Sequence, residues 1–236
     1  MILVTRPEPA ASRSARRFAA LGHEVVVAPL MEPVTLVPDS FPDPAPGMVV
    51  ALTSARAVEA MTGTPALARH WQVLRDLCVH AVGESTADAA RRAGARDVRV
   101  AQGTLESLVA LIAARPPAGE VLYLAGRERS GDLAGLLAPH GVRVKMVEVY
   151  DMIARPVLDS GARAALSGAG ELIAPCYSRR SAQALASALS DWPDRPPATF
   201  LVLSEQVGEP LAGLGRCLVA ERPDEDALVA LLPKTC

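Results

Sequence analysis

The stretch ILVTRPEPAASRSARRFAALGHEVVVAPL at residues 2–30 decides the fold, because it recurs as VLYLAGRERSGDLAGLLAPHGVRVKMVEV at residues 121–149. Both copies have the pattern of a short apolar strand, a helix, a glycine and a second strand. Three more pairs follow in the same order, each offset by about 120 residues: TSARAVEA at 53–60 with YSRRSAQA at 177–184, AVGESTADAARRAGA at 81–95 with VLSEQVGEPLAGLG at 202–215, and TLESLVALI at 104–112 with DEDALVALL at 224–232. One duplication explains this order, whereas a short-period solenoid array does not.

The alternation of short apolar strands with helices predicts two similar α/β lobes, each with a parallel sheet covered by helices. A cleft between two such lobes suits one large ligand. In the first copy, Gly22 is expected to end the first helix as a C′ glycine. The unbroken run Val25–Val27 predicts a strand that is buried on both faces. The proline-rich stretch 33–46 is too polar and too broken for a core element, and it predicts a connection between lobes.

The composition excludes several classes of function. The formal net charge is −2 and aromatic residues make up 3% of the 236 residues, which argues against a nucleic-acid surface of basic patches or stacked rings. The cysteines lack zinc-ligand spacing and indicate a reducing cytosol; they are Cys78, Cys176, Cys217 and Cys236. No signal-peptide core and no run of transmembrane length occurs, so we expect a cytoplasmic protein without membrane contact.

Polar turns recur where predicted strands end and helices begin. In a parallel α/β sheet these turns lie at the carboxyl ends of the strands, where ligands bind, and the free N–H groups of helix starts attract anions. The alternative is that the serines and threonines there only cap helices. The turns are residues 5–8 with 126–129, 53–54 with 177–178, 83–86 with 204–206, and 104 with 224.

One tyrosine carries more chemistry than the remaining polar residues. No phosphate loop, dinucleotide fingerprint or nucleophile elbow occurs, and the four histidines are dispersed without a catalytic triad. Tyr150 ends a predicted strand in which Val147 and Val149 alternate with Glu148 and Tyr150, which places the phenol on the polar side. The alternative is ordinary half-buried packing with a solvated hydroxyl.

Five blocks together resemble the uroporphyrinogen-III synthase family, in family order and over essentially the whole chain. They are VTRPEP at 4–9, LTSARAV at 52–58, AVGESTADA at 81–89, LYLAGRERSGDLAGLLAPHGVRVKMVEVYDM at 122–152 and YSRRSAQAL at 177–185. The resemblance implies an α/β fold with two similar, flavodoxin-like, three-layer parallel-sheet lobes joined by a two-stranded β-ladder. One lobe would combine residues 1–35 with 152–236, and the other would be 36–151.

The resemblance also implies a reaction. The substrate would be hydroxymethylbilane, a linear tetrapyrrole with eight carboxylates. Loss of its terminal hydroxyl as water gives an azafulvenium cation, and attack by the substituted carbon of the far ring gives a spiro intermediate. Reclosure with that last ring inverted gives uroporphyrinogen III, the precursor of haem, sirohaem, cobalamin and chlorophyll. No cofactor and no metal are expected, and the protein would work by holding geometry, since uncatalysed closure gives the uninverted isomer.

Particular residues match the family's motifs. Tyr150 matches the tyrosine implicated in loss of the hydroxyl, where a phenol donates to the leaving oxygen. Thr86 matches the threonine of the first Gly-x-x-Thr block, and Ser178 matches the serine at a second-lobe helix start. The chain departs from the second block, Gly-x-Thr-Thr, at residues 204–207, so Gln206 is expected to bind only weakly. The other expected substrate-binding residues are Arg6, Ser54, Ser85, Arg127, Ser130 and Tyr177.

Other functions stay open at this point. The main alternative is a non-catalytic, two-lobe module of the same fold that binds a tetrapyrrole or another anion. The tyrosine at 150 favours the enzyme, whereas the lost Gly-x-Thr-Thr block favours the module. A flavodoxin-like protein that binds a phosphate cofactor would need a phosphate loop. We expect a monomer whose partner is the linear tetrapyrrole; a transient contact with the hydroxymethylbilane-producing enzyme stays open.

Overall fold

A computed structural model describes residues 1–129 and 131–233. Within those residues the strands are β1 Ile2–Val4, β2 Val25–Val27, β3 Met31–Thr35, β4 Val49–Leu52, β5 Cys78–Ala81, β6 Asp97–Val100, β7 Val121–Gly126, β8 Val144–Ala154, β9 Leu172–Cys176, β10 Ala198–Val202 and β11 Arg216–Val219. The α-helices there are α1 Ala10–Ala20, α2 Ala55–Gly63, α3 Pro65–Leu74, α4 Glu84–Arg92, α5 Leu105–Ala113, α6 Leu133–Leu137, α7 Ser160–Ser167, α8 Arg179–Ser190, α9 Glu205–Gly208 and α10 Glu225–Ala230. Short 3-10 turns at Ala138–His140 and Glu209–Leu211 follow α6 and α9.

The strands form two sheets, and the predicted α/β class with parallel sheets is confirmed. The five-stranded sheet has the order β11-β10-β9-β1-β2, and its neighbouring strands all run parallel. The six-stranded sheet has the order β3-β8-β7-β4-β5-β6, with parallel pairing from β8 to β6. At its edge, β3 runs against β8, because the Leu36 N–H bonds to the Val149 carbonyl and the Arg155 N–H bonds to the Leu30 carbonyl, at 2.9 and 2.8 Å.

The contacts within the chain divide it into two compact units. Unit 1 consists of Met1–Glu32 together with the chain from Ile153 onwards, and unit 2 is Pro33–Met152. The same strand order occurs in each unit. Read from the β11 edge and the β6 edge, the sequences β11-β10-β9-β1-β2 and β6-β5-β4-β7-β8 correspond position by position. The first strand of each repeat copy is therefore built into the sheet of the other copy.

Burial explains why the apolar runs form central strands. All six residues of β7 are buried, and so are all three residues of β1. In unit 2, residues on one face of the sheet pack with Trp71, whereas residues on the other face pack with Ile112. These two layers of helices around one sheet bury apolar surface on both faces, and each fully buried large side chain contributes about 1.5–3 kcal/mol.

Helix α1 shows how the sequence pattern becomes local structure. Its buried positions, Ala11, Ser14 and Phe18, recur at three- and four-residue spacing on one face. The helix ends as predicted at Gly22, whose φ of 86° lies in the left-handed region and whose N–H bonds to the Ala19 carbonyl at 3.0 Å.

One expectation about the first repeat copy is wrong, and a second is incomplete. Val25–Val27 is not buried on both faces, since β2 is the edge strand of its sheet and Val27 is 41% exposed. The stretch 33–46 is not merely a connection. Its first residues belong to β3, and the Phe41 ring packs on the unit 2 core and stacks on His70 with 4.3 Å between ring centroids. The edge position of β2 exposes Val27, and the Phe41 ring anchors the stretch 33–46 to the core. Neither contact follows from the local sequence.

In the part of the chain that the structure describes, every helix is too short or too polar to span a bilayer.

His80 on β5 makes the stability of unit 2 depend on pH. Its side chain is 1% exposed, and among the described residues its Nε2 atom has no hydrogen-bond partner. Burial, followed by the charge of Arg99, lowers the pKa of His80 from 6.5 to about 4. The unfolded chain therefore binds a proton below about pH 6.5 that the folded chain binds only near pH 4, so stability is lost as the pH falls through this window.

We expect the free energy of unfolding to fall by about 1–2 kcal/mol more in the wild type than in His80→Leu when the pH drops from 7.5 to 5.0. Urea unfolding at both pH values measures this difference. His140→Leu, which removes an exposed imidazole, is the matched control. An unchanged pH dependence in His80→Leu would show that His80 is not the responsible group.

Candidate functional site

A cavity of about 260 Å³ lies in unit 2 where β4, β5 and β7 end. This is the edge of a parallel α/β sheet at which ligands bind, because loops there diverge from the strand ends. The cavity contains Tyr150, the predicted catalytic residue. Its lining residues are Thr53, Val82, Gly103, Leu105, Tyr123, Gly126, Glu128, Arg129, Gly131 and Tyr150.

The Tyr150 ring is held in place by a glycine on the neighbouring strand. Gly126 pairs with Tyr150 across a register shift that follows Ala125. A Cβ atom added at Gly126 would lie 2.7 Å from Cζ and 2.9 Å from the hydroxyl oxygen of Tyr150. The half-buried ring also packs against the unit 2 core. The packing alternative holds for the ring. The predicted orientation away from Val147 and Val149 is wrong, because the register shift breaks the alternation and the ring packs against the same core cluster as these two residues while it lines the cavity.

A hydroxyl pair that sequence reasoning missed lies in the same cavity. The Thr53 Oγ1 and Tyr123 hydroxyl oxygens are 2.8 Å apart, and Tyr123 is only 4% exposed. Burial, partly opposed by the hydrogen bond with Thr53, raises the pKa of Tyr123, so the phenol stays neutral at physiological pH. A tyrosine inside the otherwise apolar run VLYLAG was the available signal, because a buried phenol needs a partner.

Two arginines after β7 pair with carboxylates of β8. Arg127 Nε lies 3.2 Å from Glu148, and its Nη1 lies 3.5 Å from Asp151. Arg129 Nη1 lies 3.2 Å from Glu148 and also donates to the Gly126 carbonyl at 3.0 Å. Partial burial raises the pKa of Glu148, but hydrogen bonds from Arg127 and Arg129 outweigh it and hold the pKa below 4.5. The charge of Arg127 is therefore already compensated within unit 2.

The other predicted residues of unit 2 lie at helix starts. Ser54 caps α2 by accepting from the Arg56 N–H at 3.2 Å. Ser85 is exposed in the first turn of α4, whereas Thr86 beside it is 5% exposed, with its N–H bonded to the Gly83 carbonyl. Ser130 lies outside the described residues. The capping alternative holds for Ser54, and it does not account for Ser85 or Thr86.

In unit 1, Glu225 binds two of the residues that were expected to bind substrate, Arg6 and Tyr177. Its Oε1 atom accepts from the Tyr177 hydroxyl at 2.5 Å, from the Ser14 hydroxyl at 2.5 Å and from Arg6 Nη1 at 3.3 Å. The Arg6 guanidinium stacks on the Tyr177 ring, 3.8 Å from its centroid, and Arg17 lies 3.7 Å from Glu225 Oε2. Arg6 and Tyr177 thus have internal partners.

The electrostatics of this Glu225 cluster (Arg6, Ser14, Arg17, Tyr177, Glu225) favour a neutral phenol beside a carboxylate. Burial, followed by the hydrogen bond to Glu225, raises the pKa of Tyr177 to about 12. Burial also raises the pKa of Glu225, but the hydrogen bonds from Ser14 and Tyr177 and the charges of Arg6 and Arg17 outweigh it, so that pKa lies below 4.5. The sequence signal for Glu225 was a charged residue where the first repeat copy has Leu105.

The remaining predicted residues of unit 1 are not brought together with this cluster by any described contact. Ser178 caps α8, accepting from the Ser181 N–H at 3.2 Å with its hydroxyl 2.9 Å from that of Ser181. Gln206 is exposed in the short helix α9. Among residues 1–129 and 131–233, no group of three or more His, Cys, Asp or Glu side chains is placed to hold a metal ion.

Comparison with known proteins gives one family and several similar structures. The family model described as uroporphyrinogen-III synthase HemD matches residues 12–230. A crystal structure of uroporphyrinogen-III synthetase from Helicobacter pylori is similar in fold, with a TM-score of 0.62, 20% identity, and coverage of 98% of this chain and 96% of that chain. A mutant uroporphyrinogen III synthase from Thermus thermophilus gives a TM-score of 0.49, 15% identity and the same coverages. No curated protein sequence gives a significant match.

We expect Glu225→Gln to lower the free energy of unfolding by about 1–2 kcal/mol, because it weakens charge-assisted hydrogen bonds to three partly buried donors. Denaturant unfolding at neutral pH measures the loss. Glu205→Gln removes an exposed carboxylate of the same unit and is the matched control. Equal stability of the two variants would mean that the cluster contributes no net stability.

Proposed function

Because this chain belongs to the uroporphyrinogen-III synthase family and is a cyclising enzyme of tetrapyrrole biosynthesis, we propose that Tyr150 is its catalytic residue. The substrate is the linear tetrapyrrole hydroxymethylbilane, and the product is uroporphyrinogen III, formed with loss of water and inversion of the terminal ring. The observation that carries the proposal is the position of Tyr150, whose ring is wedged against Gly126 and lines the cavity at the strand ends.

In the first step, the Tyr150 phenol donates a hydrogen bond to the oxygen of the terminal hydroxymethyl group. The C–O bond breaks, its electron pair leaves with the oxygen, and the oxygen takes the phenol proton and departs as water. The Tyr150 phenolate regains a proton at the end of the reaction, when the unsubstituted carbon of the far ring loses its hydrogen on reclosure. The adjoining pyrrole nitrogen supplies electron density to the carbon and becomes part of the azafulvenium cation. A phenol suits this step because it donates without carrying a positive charge that would repel the cation.

The later steps depend on how the far pyrrole ring is positioned more than on acid–base chemistry. The far pyrrole ring must reach the cationic carbon through its substituted position, and the spiro intermediate must fragment and reclose with that ring inverted. Spontaneous closure takes the unsubstituted position, so the protein has to favour one approach geometry over another. The fixed ring of Tyr150 and the apolar wall of Val82 and Leu105 provide a rigid surface for this purpose.

The eight carboxylates of the substrate require donors, and the expected residues differ in how readily they can supply them. Arg127 is exposed near the cavity, and the helix starts at Ser54, Ser85 and Ser178 present backbone N–H groups and hydroxyls. Arg6 and Tyr177 would have to exchange Glu225 for a substrate carboxylate. We therefore place the helix starts first among the substrate contacts. Arg127 comes next, since it would also have to exchange Glu148 or Asp151 for a substrate carboxylate, and Thr86, Gln206 and Ser130 follow.

A non-catalytic module that binds a tetrapyrrole or another anion is the second candidate. One observation favours it: the short helix α9 has Gln206 and the buried Val207 in place of the hydroxyls of a Gly-x-Thr-Thr block. Such a module would bind the substrate without changing the isomer that forms.

We also propose that the protein works as a monomer in the cytoplasm, with the linear tetrapyrrole as its partner. The chemistry of hydroxymethylbilane supports a transient contact with the enzyme that produces it, because the free substrate closes spontaneously to the uninverted isomer.

The test of the function is an isomer analysis. With freshly made hydroxymethylbilane, we expect the wild type to give uroporphyrinogen III and Tyr150→Phe to lower kcat about 100-fold, because the donor to the leaving oxygen is lost. Products are oxidised and their isomers separated by chromatography, with an enzyme-free sample as the reference. Only the uninverted isomer from the wild type, at the spontaneous rate, would support the module, and full activity of Tyr150→Phe would remove that residue from the mechanism.

A second prediction concerns Gly126, which lies against the Tyr150 ring. We expect Gly126→Ala to lower kcat at least about 10-fold, because the added methyl group would displace the phenol ring. Gly63→Ala, at the end of α2, is the matched control, since a Cβ atom there meets nothing within 4 Å. Steady-state rates and circular dichroism of both variants separate an effect on the ring from loss of the fold. Equal rates would show that the ring position is not critical.

A further inference from the structure

The Tyr150 cavity contains a second phenol, Tyr123, that the steps above do not use. Tyr123 is held from both sides, since its ring belongs to the buried core beneath α5 and its hydroxyl bonds to Thr53 at 2.8 Å. A tyrosine on the central strand β7 with 4% exposure is a rigid group, because neither its backbone nor its ring can move without disturbing the core.

One of the two hydroxyl hydrogens of the Thr53–Tyr123 pair is not used in a hydrogen bond between them. Each hydroxyl carries one hydrogen, and a single hydrogen bond joins the two oxygens. Among the described residues, neither oxygen has a further hydrogen-bond partner. One hydroxyl hydrogen is therefore free, and both residues line the cavity, so the pair presents a neutral donor to whatever enters.

The surroundings indicate which acceptor this donor suits. Arg129 lines the same cavity, and all its hydrogen bonds to described residues use Nη1, which leaves Nε and Nη2 for another acceptor. A neutral hydroxyl donor beside a guanidinium is a typical carboxylate site. Glu128 also lines the cavity and repels an anion, so binding there depends on both donors.

The size of the cavity suits one carboxylate-bearing side chain of a larger ligand. The cavity of about 260 Å³ adjoins a second one of about 530 Å³, and both are lined by Tyr123, Glu128, Arg129 and Gly131. A carboxylate on a short side chain can reach the hydroxyl pair while the ring that carries it occupies the larger space.

We propose that Thr53 and Tyr123 form, with Arg129, a binding site for one carboxylate of the tetrapyrrole and so position the reacting end beside Tyr150. The proposal rests on the function proposed above, because it presumes that the substrate enters this cavity. Tyr123 is a positioning residue whose hydroxyl contacts the carboxylate and takes no part in proton transfer. The carboxylate is present in substrate and product alike, whereas the leaving hydroxyl is present only in the substrate.

This difference gives the test. Affinity for the product, uroporphyrinogen III, is measured anaerobically by titration calorimetry, and kcat and KM for hydroxymethylbilane are measured in parallel. We expect Tyr123→Phe to weaken product binding about 10-fold and to raise KM by a similar factor, with kcat changed less than about 3-fold. The double variant Thr53→Val/Tyr123→Phe should weaken product binding further than Tyr123→Phe, because the single variant still has the Thr53 hydroxyl as a weaker donor.

Thr62→Val is the matched control, since it removes an exposed hydroxyl of α2 that bonds only to helix carbonyls. Unchanged product affinity in the double variant would overturn the proposal, and so would a fall in kcat with unchanged affinity, because the donor would then serve the leaving hydroxyl. Failure of the function proposal is a separate result, seen as full activity of Tyr150→Phe or as absence of the inverted isomer. Circular dichroism and thermal unfolding of each variant show that the fold is retained.

Discussion

Each sheet is held together by parallel backbone hydrogen bonds to a central strand that comes from the other repeat copy. In unit 1, β1 lies between β2 and β9, and in unit 2, β7 lies between β4 and β8. A central strand satisfies the backbone groups of both its neighbours, so its removal would leave two unpaired edges in the core. Since β1 comes from the first repeat copy and β7 from the second, neither copy contains a complete sheet. The two halves of the chain therefore depend on each other even though each unit has its own core.

The exchange creates two equivalent places that have since diverged. At one end of β1, Tyr177 and Arg6 are bound by Glu225 and Ser14, so polar side chains fill the space. At the corresponding end of β7, Thr53 replaces Tyr177 and Leu105 replaces Glu225, which leaves an open cavity. One copy thus has a closed ion-paired cluster that supports the fold, whereas the other has an open site with unused donors. The proposed catalytic residue, Tyr150, belongs to the unit whose site lacks this carboxylate.

Much of this architecture could be predicted from the sequence, because local patterns determine it. The strand–helix alternation, the capping by Ser54 and Ser178 and the helix end at Gly22 follow from short-range chemistry. The exposure of β2 could not be predicted, since an edge strand and a central strand share the same apolar pattern. The partners of Arg6 could not be predicted either, because Glu225 is more than 200 residues away in the chain. The role of Tyr123 could not be predicted, because the apolar run around it is typical of a core strand and the sequence does not show that its hydroxyl lies at a cavity.

The distribution of charge around the cavity suits a reaction that passes through a cation. Most groups that line the cavity beside Tyr150 are uncharged: a second phenol whose pKa is raised by burial, a threonine hydroxyl and aliphatic walls, with Glu128 and Arg129 as the charged side chains. Arg127 and Arg129 pair with Glu148, which partly cancels their charges, while in the proposed site the other donors of Arg129 would bind a substrate carboxylate. Uncompensated guanidinium groups beside the proposed site would repel an azafulvenium ion, and the repulsion would be strong in a site from which water is excluded. Neutral donors and paired arginines can hold a polyanionic substrate without raising the energy of its cationic end, which is the balance that this cyclisation needs.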